Sequence, residues 1–295
     1  MIKWLKHLVQ GIGIGIANLV PGVSGGTVAL IFGIYEELIS AAATAVEAGL
    51  SLVRFDPRSF AARVMELPYG FILPLAAGIV IVPIIGARII PEAMATWPTQ
   101  SRALFFGLIL GSLAIPWIRI DSAQAREFAL TLLAAVVAFV LVGFPPTEIL
   151  NPTLVQIFFA ATIAVSAMIL PGVSGAFLLL VIGLYAPILR AIDARDAVVV
   201  SVFLAGSVSG LGVGSLVMKW LLSEHHDQTM AVLVGLMAGS LRALWPWLGD
   251  DRTLEWYGGG GRLTGVVLLF AAGLILSVAI TVYELRKKKS KPPST

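Results

Sequence analysis

Long apolar runs, separated by short polar segments, make up most of the chain. Unbroken runs of about 18 or more apolar residues with almost no charge are typical of helices that cross a membrane. The runs predict spans at about 69–90, 101–118 and 127–144, and again at about 197–222, 229–247 and 263–284. Two more apolar blocks, at about 8–48 and 153–190, are each interrupted by a polar turn.

The polar turn of the first block opens the segment PGVSGGTVALIFGIY, 21–35, which returns 150 residues later as PGVSGAFLLLVIGLY, 171–185. A Pro-Gly pair and a serine break what would otherwise be one long helix. The unpaired backbone groups of such a break cost several kcal/mol each in lipid, so breaks at membrane depth occur inside protein or beside a wet cavity. Breaks at matching positions in two halves predict the substrate site of a transporter.

The repeat extends beyond the turns. LAAG at 75–78 resembles FLAG at 203–206, and GLILGSL at 107–113 resembles GLMAGSL at 235–241. We therefore expect two repeats, residues 1–148 and 149–295, each with a broken helix pair followed by three transmembrane helices. The GxxxG-like glycine spacings, Gly107 to Gly111, Gly235 to Gly239 and Gly210 to Gly214, are interpreted as helix-packing faces.

Composition agrees with an integral membrane protein. The 295-residue chain is 58% hydrophobic and 13% charged, with a mean hydropathy of +0.94, which excludes a soluble core of this size. Cysteine is absent, and three histidines are too few for a histidine-rich metal centre, so no metal or cofactor is expected. The net charge of +3 comes from the basic tail at 286–291, which indicates a membrane anchor and not a nucleic-acid partner.

The basic residues also predict how the two interrupted blocks lie in the membrane. If both blocks enter and return on the same side, 13 of the 20 Lys and Arg residues are cytoplasmic, whereas full crossing divides them 10 and 10. Because cytoplasmic loops carry the excess of Lys and Arg, re-entry is favoured. Each half then crosses an odd number of times, which predicts inverted-topology repeats with both termini cytoplasmic. The N-terminal segment lacks a small-residue cleavage site and is expected to be retained.

The residues that follow each break are candidate ligands for an anion. They are Ser24, Gly25, Gly26 and Thr27 in the first copy, and Ser174 and Gly175 in the second. Each set opens a half-helix whose free N–H groups and positive dipole end would point to the membrane centre. The glycines let an oxyanion approach the backbone, and the hydroxyls can donate. Alternatively, the turns only kink two packed helices.

Two arginines in apolar segments are further candidates. Arg242 lies well inside the predicted span 229–247, where an arginine costs roughly 2.5 to 3.5 kcal/mol, so an anionic partner is expected. A phosphate suits the guanidinium because two parallel charge-assisted bonds can form. Alternatively, Arg242 snorkels to an interface marked by Trp245 and Trp247. Arg102 begins its span, and snorkelling explains it at least as well.

Glu36 and Asn18 are candidates for coupling to a cation gradient. Glu36 follows the first half-helix and could carry a proton, although a solvated charge near the cytoplasmic interface is the simpler role. Asn18, just before the first turn, could coordinate a cation through its side-chain carbonyl. It could equally satisfy the freed backbone groups of the turn.

Three segments together resemble the bacterial polyprenyl-phosphate transporter family (PopT type), formerly a domain of unknown function. They are NLVPGVSGGTVALIFGIYEELI, MILPGVSGAFLLLVIGLY and GLMAGSLRALWPW. The resemblance implies a transporter and not an enzyme, in the bacterial cytoplasmic membrane, that returns undecaprenyl phosphate from the outer to the inner leaflet for reuse in cell-wall synthesis. It places near the substrate path Pro21, Gly22, Ser24, Gly25, Pro171, Gly172, Ser174, Gly175 and Arg242. Because Ala176 and Phe177 stand where the first copy has Gly26 and Thr27, the second turn is expected to offer less polar contact.

The charge of a lipid phosphate and the membrane potential together predict ion coupling, and two other functions remain as alternatives. A phosphate monoester carries about −1.5 to −2 charges, and moving it inward opposes an inside-negative potential worth about 2.3 kcal/mol per charge per 100 mV. We therefore expect coupling to H⁺ or Na⁺. Undecaprenyl-diphosphate phosphatases have a similar turn, but with an arginine beside the serine, where this chain has Gly25 and Gly175. A porter for a small inorganic anion could use the same backbone site.

Overall fold

The computed structural model describes residues 2–20, 23–86, 89–249, 251–257 and 263–289. Within these ranges the chain forms helices and turns, and the one β-type contact is an isolated bridge between Leu248 and Leu254. The predicted all-α fold class is therefore confirmed for the described part of the chain.

Short helices alternate with long ones along the sequence. The first half contains α1 (Ile2–Leu19), α2 (Gly25–Ile31), α3 (Tyr35–Val53), α4 (Pro57–Glu66), α5 (Tyr69–Gly86), α6 (Ile89–Thr96), α7 (Pro98–Ser112), α8 (Ala114–Trp117) and α9 (Ala125–Val142). The second half contains α10 (Leu154–Met168), α11 (Gly175–Ile182), α12 (Tyr185–Asp193), α13 (Ala197–Glu224), α14 (His226–Ser240), a 3₁₀ turn (Leu241–Leu244) and α15 (Leu263–Lys289).

Capping residues set several helix ends. The carboxylate of Asp56 accepts the backbone N–H of Ser59 at the start of α4, and Asp196 does the same at the start of α13. Helix α11 ends at Gly183, whose φ of 87° lies in the left-handed region that glycine adopts without strain. Helices α4 and α5 are bent by 77° at the break between them, and α11 and α12 by 102° at the break that contains Gly183.

Three of the described helices are long and apolar enough to cross a membrane. They are Ala125–Val142, Ala197–Glu224 and Leu263–Tyr283, and the number rises to five if each bent pair forms one span. Large apolar side chains are exposed on their outer faces, for example Leu132 at 67% and Val208 at 70%. A soluble monomer does not present so much apolar surface, so the chain is a multi-pass α-helical membrane protein.

Helix α1 packs along α5 and runs parallel to it. A side chain at Gly11 would collide with the carbonyl group of Leu75, and one at Gly15 would lie 3.0 Å from the carbonyl oxygen of Ile79. Small residues permit this close approach of the two backbones. Since the contacts advance in the same direction along both helices, α1 and α5 begin on the same side of the molecule.

Helix α10 packs along α13 in the same parallel way. Gly206 lies against the carbonyl group of Phe158, and Gly210 lies against that of Thr162. The hydroxyl of Thr162 also donates to the carbonyl of Gly206 at 3.1 Å, and Ser166 donates to that of Gly210 at 2.9 Å. The second half therefore contains a pair of helices with the arrangement of α1 and α5.

The remaining long helices pack across the two halves. Helix α7 runs parallel to α15, with Gly107 against the carbonyl of Phe270 and Gly111 against that of Leu274. Helix α9 runs parallel to α14, where Gly235 lies against a carbonyl group of α9. The interpretation of the GxxxG-like segments as helix-packing faces is confirmed, and the two halves interlock.

Half-helix α2 lies in the core of this bundle. Ala29 and Leu30 are fully buried, and Tyr35 at the start of α3 is 1% exposed. Met230 and Met237 of α14 belong to the same buried cluster. The first turn is therefore deep inside the protein.

Candidate functional site

The first turn connects α1 to α2. Ser24 precedes α2 with φ −109° and ψ 133°, the extended backbone that an N-cap residue adopts. Its hydroxyl does not cap α2. Instead, the side-chain carbonyl of Asn18 accepts a 3.1 Å hydrogen bond from the backbone N–H of Gly25, so Asn18 satisfies a freed backbone group. Pro21 and Gly22 lie outside the described residues.

The second turn connects α10 to α11. The hydroxyl of Ser174 caps α11 by accepting the backbone N–H of Phe177 at 3.4 Å. Gly172 has a φ of 83°, and a side chain there would lie 2.7 Å from the backbone nitrogen of Met237. A side chain at Gly175 would approach a carbonyl of α10 to 2.7 Å. Both glycines are thus required by backbone contacts.

The two turns pack against each other in the interior. The backbone N–H of Gly172 donates to the hydroxyl of Thr27 at 2.8 Å. The hydroxyl of Ser24 donates to the carbonyl of Leu170 at 3.3 Å. Ser24 is 2% exposed and Thr27 is fully buried, so these bonds form away from solvent.

Tyr35 and Gly26 complete the contact between the turns. The phenol of Tyr35 donates to the carbonyl of Ile169 at 3.2 Å. A side chain at Gly26 would lie 2.9 Å from the same carbonyl oxygen and 3.4 Å from the nitrogen of Pro171. The first turn therefore closes one side of the second turn.

A cavity of about 500 Å³ lies beside the second turn. Its polar side chains come from Asn18, Arg102, Ser174, Tyr185 and Arg252. Its apolar lining comes from residues within 19–20, 94–98 and 176–180, together with Ala243 and Leu248. Both halves of the chain contribute to the lining.

Two guanidinium groups give this cavity a positive charge. Arg102 donates to the carbonyl of Leu248 at 2.8 Å, and the guanidinium of Arg252 lies 4.4 Å from the ring centroid of Phe177. Burial lowers the pKa of Arg252, and the nearby positive charges of Arg102 and Arg242 lower it further. An anion in the cavity would relieve this repulsion.

Arg242 lies behind the cavity and not among its lining residues. It belongs to the 3₁₀ turn that follows α14, and its guanidinium donates to the carbonyl groups of Phe139 and Arg252, both at 3.1 Å. The same group stacks on the ring of Phe139 at 4.7 Å and fills the space above Gly143. The expectation that Arg242 sits in the middle of a regular helix is wrong, because α14 ends at Ser240.

The predicted site residues separate into two groups. Asn18, Arg102 and Ser174 meet at the cavity. The first-turn residues Ser24, Gly25, Gly26 and Thr27, together with Pro171, Gly172 and Gly175, are buried or partly buried in the packing of the turns and do not line it. The expectation that the second turn offers less polar contact does not hold for this cavity, because Ser174 lines it whereas Ser24 is used to hold the turns together.

Glu36 lies away from the cavity. Its carboxylate pairs with Arg119 at 3.0 Å and lies 3.9 Å from His226. The side chain is 50% exposed, which fits the solvated charge expected from the sequence.

Arg252 lines the cavity although its immediate sequence context does not mark it as a site residue. The residue lies in the polar loop DDRTLEW beside two acidic residues. A basic side chain in such a loop is normally expected to be solvated. Only the fold brings it over the ring of Phe177 in α11 and to the wall of the cavity. One sequence feature could have indicated it: the loop that carries Arg252 directly follows the LWPW segment, which ends the predicted span of Arg242.

Comparison with known proteins agrees with a helical membrane transporter. A family model described as VCA0040-like, undecaprenyl phosphate translocase-like, matches residues 14–258. The chain therefore belongs to the undecaprenyl phosphate translocase-like family, as its motifs indicated.

Two relatives in this family are named polyprenyl-phosphate transporters. The protein from Vibrio cholerae is 35% identical over 256 residues, which cover 86% of this chain and 81% of the relative. The protein from Staphylococcus aureus is 26% identical over 297 residues, covering 94% and 96%. Both names agree with the expectation of a transporter and not an enzyme. No solved structure matches the chain significantly.

Proposed function

We propose that this protein binds a polyprenyl phosphate, undecaprenyl phosphate in bacteria, and carries it across the cytoplasmic membrane. The observation that carries the proposal is the cavity beside the second turn, which combines two arginines with an apolar wall inside a helical membrane protein. The names of the two relatives support the same substrate. A phosphate joined to an apolar chain needs both kinds of lining.

The phosphate would lie between Arg102 and Arg252. Guanidinium groups bind phosphate oxygens through charge-assisted hydrogen bonds, and a dianion would offset the repulsion between the two arginines. The hydroxyl of Ser174, which lines the same cavity, is an additional donor. The side-chain amide of Asn18 lies at the wall formed by the end of α1.

The size of the cavity limits how much of the lipid it can hold. A volume of about 500 Å³ is typical of a pocket for a small organic ligand. It suits the phosphate and the first part of the prenyl chain, so the rest of the chain must remain in the surrounding lipid. The site would therefore recognise the headgroup and tolerate different chain lengths.

The parallel packing of α1 with α5, and of α10 with α13, supports re-entrant blocks. If the first block crossed the membrane fully, α5 would begin on the side opposite to α1 and the two helices would pack antiparallel. Parallel pairs are the arrangement expected of a chain that returns to its starting side between their members. Three crossings then separate α1 from α10, which makes the two repeats inverted.

Ion pairs support the assignment of one face to the cytoplasm. Arg63 and Lys219 both pair with Glu47, and Arg119 pairs with Glu36. All three basic residues belong to the set that the positive-inside rule assigns to the cytoplasm. Three of the 13 basic residues that the re-entrant arrangement places in the cytoplasm thus pair with carboxylates of α3.

The cavity belongs to the opposite face. Arg102 and Arg252, which line it, fall in the set assigned to the outside, as does Arg242. The cavity would therefore open toward the outer leaflet, where a used lipid carrier is available. This supports transport from the outer to the inner leaflet, coupled to an H⁺ or Na⁺ gradient because the membrane potential opposes inward movement of a dianion.

The two repeats also suggest how access changes sides. Tyr35 and Ser24 bind the carbonyls of Ile169 and Leu170, and in the proposed orientation these bonds would close the cytoplasmic side. By the repeat, the counterpart bonds would join Tyr185 to the carbonyl of Leu19, and Ser174 to that of Val20. These four counterparts all line the cavity, so they stand apart in the outward-open state. Transport would exchange one set of contacts for the other.

A transport assay in vesicles tests the proposal. Protein would be reconstituted with polyprenyl phosphate, and an external phosphatase would measure the fraction of phosphate exposed outside. We expect an imposed H⁺ or Na⁺ gradient to reduce this fraction when wild-type protein is present. An Arg102→Ala, Arg252→Ala variant should lose the effect, whereas Arg190→Ala, which breaks an exposed pair with Glu148, should keep it.

Four results would count against the proposal or against part of it. An exposed fraction that the protein does not change would reject lipid transport. Release of inorganic phosphate from undecaprenyl diphosphate would favour the phosphatase. Uptake of inorganic phosphate alone would favour a porter for small anions. Indifference to both gradients would reject cation coupling and leave passive movement.

A further inference from the structure

We infer that Arg242 is a positioning residue that holds Arg252 at the cavity and does not itself contact the phosphate. The inference rests on the proposed function, because it concerns how the proposed phosphate site is built. It departs from the direct role that the sequence suggested for Arg242.

The hydrogen bonds of Arg242 point to the backbone of its neighbours. One guanidinium nitrogen donates to the carbonyl of Phe139 in the last turn of α9, and the other donates to the carbonyl of Arg252. The Nε atom is buried without a partner in the described part of the chain. Arg242 thus connects the end of α9 to the loop that carries Arg252.

Arg252 needs such support. Its φ of 67° is in the left-handed region, which is unfavourable for a residue with a side chain. The backbone N–H of Arg252 donates to the carbonyl of Gly249 at 3.0 Å, and Gly249 donates to the carbonyl of Thr253 at 2.9 Å, which gives a tight turn. The bond from Arg242 to the carbonyl of Arg252 fixes this turn against the membrane helices.

The end of α9 receives both arginines. The carbonyl of Phe139 accepts from Arg242 at 3.1 Å, and the carbonyl of Val142 accepts from Arg252 at 3.5 Å. The last carbonyl groups of a helix lack intrahelical partners and favour basic side chains. Helix α9 therefore acts as the anchor from which Arg252 reaches the ring of Phe177.

Gly143 makes room for this arrangement. A side chain at that position would collide with the guanidinium of Arg242. Substitution by alanine should therefore displace Arg242 without removing any charge. This offers a second way to disturb the support of Arg252.

A double-mutant cycle tests the inference. Affinity for undecaprenyl phosphate would be measured with purified protein in detergent for wild type, Arg242→Ala, Arg252→Ala and the double variant. Because hydrogen bonds to charged groups are strong, Arg252→Ala should weaken binding roughly 10- to 100-fold, and Arg242→Ala by a smaller factor of roughly 3- to 10-fold. In the Arg252→Ala background, Arg242→Ala should add no further loss. The Arg252→Ala variant keeps the backbone carbonyl that Arg242 binds. Its loss of affinity therefore comes only from the missing guanidinium group.

If the loss of affinity in the double variant equals the product of the two single losses, the inference is wrong, because Arg242 would then contact the phosphate directly. Two further variants exclude a general effect of charge. Arg242→Lys keeps the charge but cannot bridge both carbonyls, and Gly143→Ala keeps the arginine; both should resemble Arg242→Ala. Binding of uncharged undecaprenol should be unchanged in every variant. If wild type fails to bind the phosphate lipid, the proposed function fails instead, and thermal unfolding reports whether each variant is folded.

Discussion

At the scale of single residues, the two turns use nearly the same sequence for different tasks. Ser24 and Thr27 are buried in bonds to the second turn, whereas Ser174 caps its own helix and lines the cavity. Their sequence context, Pro-Gly-Val-Ser-Gly, is identical. The difference arises from what packs beside each turn, so the sequence could name the serines but could not assign their roles.

Gly172 gives a prediction at this scale. Alanine at a φ of 83° is strained, and its side chain would also press on the backbone of Met237. We expect Gly172→Ala to lower the free energy of unfolding by about 2 kcal/mol or more. Thermal unfolding in detergent measures the effect.

Gly49 provides the matched control for this substitution. It lies in α3, and no atom is within 4 Å of the position that a new side chain would occupy. Gly49→Ala should be neutral or stabilising by up to about 1 kcal/mol, since alanine favours helices. Equal effects of the two substitutions would show that the second turn is not constrained as described.

The arginines show a second limit of sequence reasoning. Arg242 stood out because it lies in an apolar segment, but its bonds go to backbone carbonyls of Phe139 and Arg252. Arg252 lies in a polar loop, so its sequence context did not predict a site residue, yet it lines the cavity. A hydropathy pattern shows which residue is costly to bury; it does not show which residue a fold brings to a cavity.

At the scale of helices, the pairing of the turns is the central feature. The contacts between Ser24 and Leu170, and between Tyr35 and Ile169, have counterparts that are open in this conformation. One bond lacks a counterpart: Thr27 binds Gly172, whereas the equivalent position in the second copy is Phe177, which has no hydroxyl. This conformation therefore contains one hydrogen bond that the proposed exchange of contacts could not replace.

Thiol cross-links test the exchange of contacts. The chain has no cysteine, so introduced pairs react without background. Ser24→Cys with Leu170→Cys should cross-link readily in the outward-open state, and Ser174→Cys with Val20→Cys should do so only when the cavity closes. Either cross-link should stop transport until a reductant is added. Continued transport with a complete cross-link would contradict the exchange.

Thr27→Val should shift the balance between the two states. Removing one hydrogen bond worth about 0.5 to 1.5 kcal/mol would change the population ratio by roughly 2- to 12-fold. The rate of the Ser174–Val20 cross-link should rise and that of the Ser24–Leu170 pair should fall. Thr147→Val removes a hydroxyl that donates to the carbonyl of Val181 in α11 and takes no part in the contact between the turns, so it should leave both rates unchanged.

At the scale of the whole molecule, composition and hydropathy were sufficient for the helical class and the membrane setting. The glycine pattern also predicted which helix faces pack closely, because close approach depends on residue size alone. The interlocking of the halves, with α7 against α15 and α9 against α14, could not be read from the sequence. Such contacts depend on the three-dimensional path of the chain and not on local periodicity.

The same limit applies to the proposed site as a whole. The repeat located two turns and a transporter-like architecture, but the cavity arises where α1, α7, α11 and the loop at 249–257 meet. Val20 of the first turn and Ser174 of the second turn both line it. The two copies nevertheless contribute differently, because the serine of the second turn lines the cavity whereas the serine of the first turn is buried in the contact between the turns.

The most direct test is a structure of the protein with undecaprenyl phosphate bound. Our account predicts phosphate density within hydrogen-bonding distance of the guanidinium groups of Arg102 and Arg252, beside Ser174, with the prenyl chain leaving the cavity toward lipid. Phosphate bound at Arg242, or at the buried first turn around Ser24, would contradict it.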